Sequence, residues 1–277
     1  MKVGVLGGGR MGAGIAHAFI MAGCAAVVVE RDGAAADAAR RRIDDGLARA
    51  AQHGTTPPDD ARAAVHVGTD VAVFAGADLV IEAVTEDRVL KAAALARIAR
   101  AAPDAVIATN TSSISIDRLA DAVPHRGRFL GMHFFNPVPT SALVEVVTGS
   151  ATSRAVVQRV QGWVGMLGRT PIVVRDSPGF ASSRLGLALA LEAIRMLDAG
   201  VASAEDIDRA MELGYRHPMG PLRTTDIVGL DVRLGIAEEL HTTLGDRFAP
   251  PALLRRMVGE GKLGRKSGEG FYRWENA

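Results

Sequence analysis

Apolar runs of four to seven residues alternate with longer stretches of helical spacing through the first 175 residues of the chain. That rhythm predicts a parallel sheet wound with helices. The predicted strands are KVGVL, AAVVV, ADLVIEA, AVIAT, RFLGMHFF, LVEVV and PIVV. Between them, residues 11–22, 34–51 and 88–100 place alanine, arginine and leucine at helical spacing without an internal proline, and a further helix is expected over 153–167. A loop interrupts at HGTTPPDD.

The pattern changes at DSPGF, beyond which long helices dominate. Pro178 suits a first helical turn, so residues 180–199 read as one helix stopped by Gly200. SAEDIDRAM starts another, with Ser203 as N-cap and Asp206 three residues on, and more helices are expected over 230–244 and 251–260. The expected organisation is an α/β domain over 1–176, a doubly wound and mostly parallel sheet, followed by an all-helical domain over 177–277.

Composition narrows the partners. At 277 residues the chain is long enough for two domains with real cores, and 48% hydrophobic with 23% charged residues is ordinary for a globular protein. A net charge of +1 supplies no field to gather nucleic acid or an anionic membrane. The longest apolar stretch, residues 18–29, is too short to span a bilayer, and no export signal is apparent. The single cysteine, Cys24, can form no intrachain disulfide, so a reducing cytoplasm is expected. Only four lysines occur, Lys2, Lys91, Lys262 and Lys266.

Gly7, Gly9 and Gly12 form a G-x-G-x-x-G motif, weak by itself in a chain with 31 glycines. Its position strengthens it, because it follows the first strand and opens the first helix. The glycines then serve a tight turn, room for a pyrophosphate and close helix-to-strand contact, which is a Rossmann-type arrangement. The helix start at Arg10 and Met11 offers unpaired N–H groups to phosphates. Glu30, at the end of the second strand, is placed for an adenosine ribose, and its charge disfavours a 2′-phosphate although Arg31 lies beside it. NAD is the expected cofactor.

His133 in GMHFFNP and Glu145 in ALVEVV are symmetric about Pro139. If the two strands fold back on one another around NPVPTSA, the side chains become cross-strand neighbours. A carboxylate there orients the imidazole for general-base work. The alternative is a histidine that serves only the core. ATNTSSIS follows a predicted strand, so residues 110–113 are expected at the carboxyl end of a parallel strand, where open α/β sheets bind ligands. Ser112 there is either a contact for a substrate hydroxyl or carbonyl, or part of a helix cap leading into SIDRLA.

Taken in order, GVLGGGRMGAGIA, DLVIEAVTED, ATNTSSISI, GMHFFNPVP, LVEVV, DSPGF, SAEDIDRAM, GYRHPMGPL, DIVGLD and GRKSGEGFY resemble the L-3-hydroxyacyl-CoA dehydrogenase family, 3-hydroxybutyryl-CoA dehydrogenases included, over essentially the whole chain. The resemblance implies that His133 takes the 3-hydroxyl proton with Glu145 as partner, and that Ser112 holds the reacting oxygen. It further implies cofactor contacts at Glu86, Lys91, Ser112, Asn136 and Lys266, and a homodimer through roughly 178–277. Two positions depart from the family pattern. Ser183 in PGFASSR stands where the family has a catalytic-site asparagine, and a hydroxyl lacks the two N–H donors of a carboxamide. Gly46 and His53 stand where the family's serine and lysine contact coenzyme A.

The leading expectation is therefore an NAD-dependent oxidoreductase acting on a short L-3-hydroxyacyl-CoA. Open alternatives are a carrier-protein thioester, a small hydroxylated substrate without CoA, and a nucleotide-binding protein without turnover. The β-hydroxyacid dehydrogenase group, which relies on a lysine at the start of its second domain, is excluded because no lysine occurs between Lys91 and Lys262.

Overall fold

A computed structural model describes residues 1–55, 57–58 and 61–275. Of the loop expected at HGTTPPDD, Thr56, Asp59 and Asp60 lie outside the described residues. The chain divides into two compact units, the first over Met1–Ser177 and the second from Pro178 onward.

Among the described residues the first unit is one eight-stranded sheet: β1 (Lys2–Leu6), β2 (Ala25–Val29), β3 (Val65–Gly68), β4 (Leu79–Glu82), β5 (Val106–Thr109), β6 (Phe129–Phe134), β7 (Leu143–Thr148) and β8 (Thr170–Arg175). Their spatial order is β3-β2-β1-β4-β5-β6-β7-β8. Strands β1 to β6 pair in parallel, β7 runs antiparallel to β6, and β8 is parallel to β7. Helices α1 (Arg10–Met21), α2 (Gly33–Gln52), α3 (Arg88–Ala101), α4 (Ile116–Ala120) and α5 (Arg154–Met166) connect or flank them. Residues such as Val3, Val5, Val28, Ile81 and Val106 are wholly buried, which is why these strands read as continuous apolar runs.

Helix starts are fixed locally. Asp32, Asp87 and Ser153 accept hydrogen bonds from the N–H groups of Ala35, Leu90 and Val156, closing the first turns of α2, α3 and α5. The chain runs from β1 outward to β2 and β3, then crosses back to β4 on the other side of β1. Strand order reverses there, and open α/β sheets bind their ligands beyond the carboxyl ends of the strands at such a point. The loops after β1, β2, β4, β5 and β6 all leave from that same edge because these strands are parallel.

One strand was not foreseen. VHVG pairs with β2 at the sheet edge as β3 but has only four residues, with His66 exposed, so it carries too little apolar signal to stand out.

The second unit packs α6 (Ser182–Asp198), α7 (Ala204–Gly214), α8 (Pro221–Val228), α9 (Leu230–Leu244) and α10 (Ala252–Gly259) around Leu187, Leu191, Ile194, Leu222, Leu230 and Leu240. Its first helix starts at Ser182, not at Phe180 as periodicity suggested, because Gly179 and Phe180 both take positive φ (72° and 50°) and break the helical path. Helix α8 was also unforeseen, since two threonines and a preceding Pro-Gly-rich turn dilute its signal. At Ser203 the expected cap forms, its hydroxyl accepting from Asp206 N–H at 3.1 Å. Two buried carboxylates pin the C-terminal segment. Asp226 accepts from the N–H groups of Phe271 and Tyr272 and from the indole of Trp274, while Asp208 accepts from the Tyr272 hydroxyl at 2.7 Å. No described helix is long and apolar enough to cross a membrane.

Candidate active site

The glycine turn comes directly off β1. Gly7 has φ +98°, and a Cβ there would lie 2.8 Å from the Ala83 carbonyl, so the loop after β4 closes against bare backbone. Gly12 is still more constrained, since an added Cβ would sit 1.7 Å from Gly7 O. Gly8, which the motif treats as a free position, is equally obligate: its Cβ would meet Ala39 Cβ at 2.4 Å. Only Gly9 faces open space, with nothing within 4 Å of an added Cβ. It is also the N-cap of α1, with no side-chain cap and no acidic residue in the first turn, so the N–H groups of Arg10 and Met11 meet an uncovered, electropositive helix end.

Glu30 lies just beyond β2 and is held in place. Its Oε1 accepts from Gly8 N–H at 2.6 Å and its Oε2 from Arg31 N–H at 3.1 Å. The Arg31 guanidinium pairs with Asp32 at 2.9 Å. An open cradle at Gly9, a bare helix N-terminus and a fixed carboxylate fit the pyrophosphate and ribose of a dinucleotide.

His133 and Glu145 are register partners across the antiparallel β6–β7 pair. Their side chains meet at 2.6 Å, Nδ1 to Oε2, with Glu145 wholly buried and His133 nearly so. A carboxylate at Nδ1 keeps the proton on that nitrogen in the neutral ring, which puts the lone pair on Nε2. The Phe135 ring lies 4.5 Å away, tilted at 52°. Asn136, expected near the nicotinamide, is exposed in the turn that follows β6. The carboxamide of Asn110 accepts from Phe134 N–H at 2.9 Å, tying the end of β6 to the end of β5.

Ser112 is not a helix cap. That role falls to Ser115, whose hydroxyl accepts from Arg118 N–H at the start of α4. Ser112 instead sits in a turn gathered around Glu86, donating to Oε1 through its N–H at 2.9 Å and its hydroxyl at 3.3 Å. Thr111 Oγ1 donates to the same oxygen at 2.6 Å. Burial alone would raise the Glu86 carboxyl, but the Lys91 ammonium and these hydrogen bonds outweigh it and hold the group below the usual carboxylate range.

Lys91 turns inward. It is 1% exposed and donates to Glu82 at 2.9 Å and to Val84 O at 3.2 Å, with Glu86 Oε2 at 3.3 Å. In the sequence Glu82 and its hydrogen-bond donor Thr109 both read as strand residues. A buried carboxylate at the end of a central strand, nine positions before a rare lysine, was the available signal.

In the second unit, Ser183 occupies the first turn of α6 and is half-buried. Lys266 lies in the turn 265–267 and donates to Asp231 Oδ2 at 2.6 Å. The two departures on α2 have different consequences. His53 is exposed at the end of that helix. Gly46 faces the buried His17, and a Cβ there would stand 3.0 Å from the imidazole Cδ2, so the lost side chain makes room for the ring.

Comparison with known proteins converges on one family. The description "3-hydroxyacyl-CoA dehydrogenase, NAD binding domain" matches residues 2–177, and "3-hydroxyacyl-CoA dehydrogenase, C-terminal domain" matches 179–274. A probable 3-hydroxybutyryl-CoA dehydrogenase of Deinococcus radiodurans is 42% identical over 278 residues, covering 99% of this chain and 100% of its own. A 3-hydroxybutyryl-CoA dehydrogenase of Mycobacterium tuberculosis is likewise 42% identical, covering 98% of this chain and 97% of its own. The crystal structure of (S)-3-hydroxybutyryl-CoA dehydrogenase from Ralstonia eutropha superposes with a TM-score of 0.94 at 40% identity, covering 99% of each chain. Matched over both domains and nearly end to end, this chain belongs to the 3-hydroxyacyl-CoA dehydrogenase family, an NAD-dependent oxidoreductase family, and residues 2–177 form its NAD-binding domain.

Proposed function

We propose that this protein interconverts a short-chain L-3-hydroxyacyl-CoA and the corresponding 3-ketoacyl-CoA, with His133 as the general base paired to Glu145. Bound NAD would supply the hydride acceptor for C3. The chain's own residues handle the proton and the orientation. His133 Nε2 takes the 3-hydroxyl proton, and Glu145 stabilises the resulting imidazolium from the far side of the ring. Ser112 hydrogen-bonds the reacting oxygen. The turn at Gly7, Gly9 and Gly12 and the helix start at Arg10 and Met11 hold the pyrophosphate, Glu30 the ribose, and Glu86 and Asn136 the nicotinamide half; Lys266, in the second unit, is a cofactor contact on the resemblance to the family. Lys91 serves that half by holding Glu86. Ser183 contacts the substrate directly or through a water, since its hydroxyl is shorter than the family's asparagine.

One observation carries the reading: the 2.6 Å contact between His133 and a wholly buried Glu145, at the sheet edge where the glycine turn and Ser112 also emerge. The test is spectrophotometric. Acetoacetyl-CoA drives loss of NADH absorbance, and absence of turnover with every 3-ketoacyl-CoA offered, short or medium chain, ends the proposal.

Gly46 and His53 favour a second reading at the acyl carrier alone, because neither supplies the hydroxyl or the ammonium for which the family uses those positions. Under it, the same chemistry acts on a phosphopantetheine thioester or a small hydroxylated substrate, and side-by-side rates with those substrates decide. A homodimer through the second unit is supported by exposed apolar side chains there, among them Leu185, Val201, Leu213 and Tyr215, and light scattering at micromolar concentration tests it.

A further inference from the structure

Glu82 ends a central strand with a carboxylate that solvent does not reach. Such a group requires a cation and hydrogen bonds. It has both: Lys91 at 2.9 and 3.2 Å, Thr109 Oγ1 at 2.6 Å and Val84 N–H at 2.7 Å. The ammonium does not stop there. It also lies 3.3 Å from Oε2 of Glu86, whose side chain is 37% exposed. A single buried cation thus links a sealed carboxylate to a partly exposed one.

Glu86 divides its two oxygens between two tasks. Oε2 faces Lys91, while Oε1 gathers Thr111 Oγ1 (2.6 Å), Ser112 N–H (2.9 Å), Ser113 Oγ (3.1 Å), Ser113 N–H (3.2 Å) and Ser112 Oγ (3.3 Å). A protonated Glu86 would turn from pure acceptor to partial donor and could not hold that many donors. The charged groups facing it are Lys91 from α3 and, behind that, Glu82 from β4. The loop after β5 contributes hydroxyl and N–H donors.

We propose that Lys91, fixed by Glu82, is a positioning residue that keeps Glu86 gripping the Thr111–Ser113 turn and thereby sets where Ser112 meets the reacting oxygen. This rests on the functional reading above for the role of Ser112. A purely structural role for the pair has different consequences, because buried ion pairs add little net stability over uncharged groups of similar shape. Replacing both members together separates the two.

The variant is Glu82→Gln/Lys91→Met in the full chain, which removes both buried charges and keeps a hydrogen-bonding partner for Thr109. The positioning role predicts a folded protein whose kcat with acetoacetyl-CoA and NADH falls about tenfold or more, and whose acidic limb in the kcat–pH profile moves to higher pH, because Glu86 without its cation protonates more readily. A folded double variant with kcat within about twofold of wild type and an unmoved limb overturns the proposal. If that variant does not fold, the wild type decides through the carboxyl-carbon NMR signal of Glu86, assigned by its loss in Glu86→Gln. A titration midpoint clearly below that of an ordinary glutamate, about 4.3, is expected, and one at or above that value overturns the coupling to Lys91. The NMR titration does not depend on turnover, so a protein that reduces no thioester yet gives a lowered midpoint refutes the functional reading and leaves the coupling intact.

Discussion

Glu145 reaches Nδ1 of His133 at 2.6 Å from the facing position on the antiparallel neighbour strand, and it does so from complete burial. Removing its charge while keeping its shape isolates orientation from electrostatics. Glu145→Gln is expected to lower kcat by about 10²-fold with little change in KM, and His133→Gln to lose at least as much while still binding NADH. Steady-state kinetics beside a NADH fluorescence titration checks both.

Glu30 is tied to the glycine turn through the Gly8 N–H at 2.6 Å, so its removal tests the proposed ribose contact and the turn together. Glu30→Ala is expected to weaken NAD by about tenfold and to narrow the preference over NADP, because the repulsion toward a 2′-phosphate disappears. Equal losses for both cofactors would show that the carboxylate serves only the turn.

The glycines of the motif separate by what surrounds them. Gly12→Ala puts a methyl 1.7 Å from Gly7 O and is expected to cost about 3 kcal/mol or more of stability. By contrast, Gly9 has φ −61° and open space around it, so Gly9→Ala should keep stability within about 1 kcal/mol of wild type while weakening NAD. Thermal unfolding with and without NAD distinguishes the two; a Gly9 variant as unstable as the Gly12 one would contradict the assignment of Gly9 to the ligand.

His17 carries a pH signature. Burial holds its imidazole below the ordinary 6.5, and the nearby Arg169 and Arg49 push the same way. A folded-state value below the unfolded one means the unfolded chain binds the extra proton first, so this contribution to stability is complete above pH 6.5 and is lost as pH falls through the lower folded value. His17→Asn should flatten the dependence of Tm on pH between about 7 and 5 relative to wild type. A wild-type curve already flat there would contradict it.

Much of the candidate site was legible in the chain because it is built from local signals. The glycine turn, the acidic residue closing the second strand and the symmetric spacing of His133 and Glu145 about a proline each follow from strand and turn chemistry within a few residues. What escaped notice was short or depended on partners distant in sequence. β3 is four residues long at an edge. Gly8 looks dispensable until Ala39 is brought against it. Lys91 stands out in the sequence only as a cofactor contact implied by resemblance, and its burial between Glu82 and Glu86 depends on partners that the fold supplies.

By itself, the sequence determined the alternation of strand and helix, the change to helices near DSPGF and the residue types available for redox chemistry, since period and turn chemistry are properties of neighbouring residues. Tertiary structure alone decided which donors surround each carboxylate. Glu86 became the acceptor for the Ser112 turn, Ser115 took the helix cap from it, and Gly46 yielded its space to His17. Glu86 and Ser112, 26 positions apart, meet because parallel strands bring their carboxyl ends to one edge, as Gly46 and His17 meet because α1 and α2 pack together, and no local pattern encodes such partners.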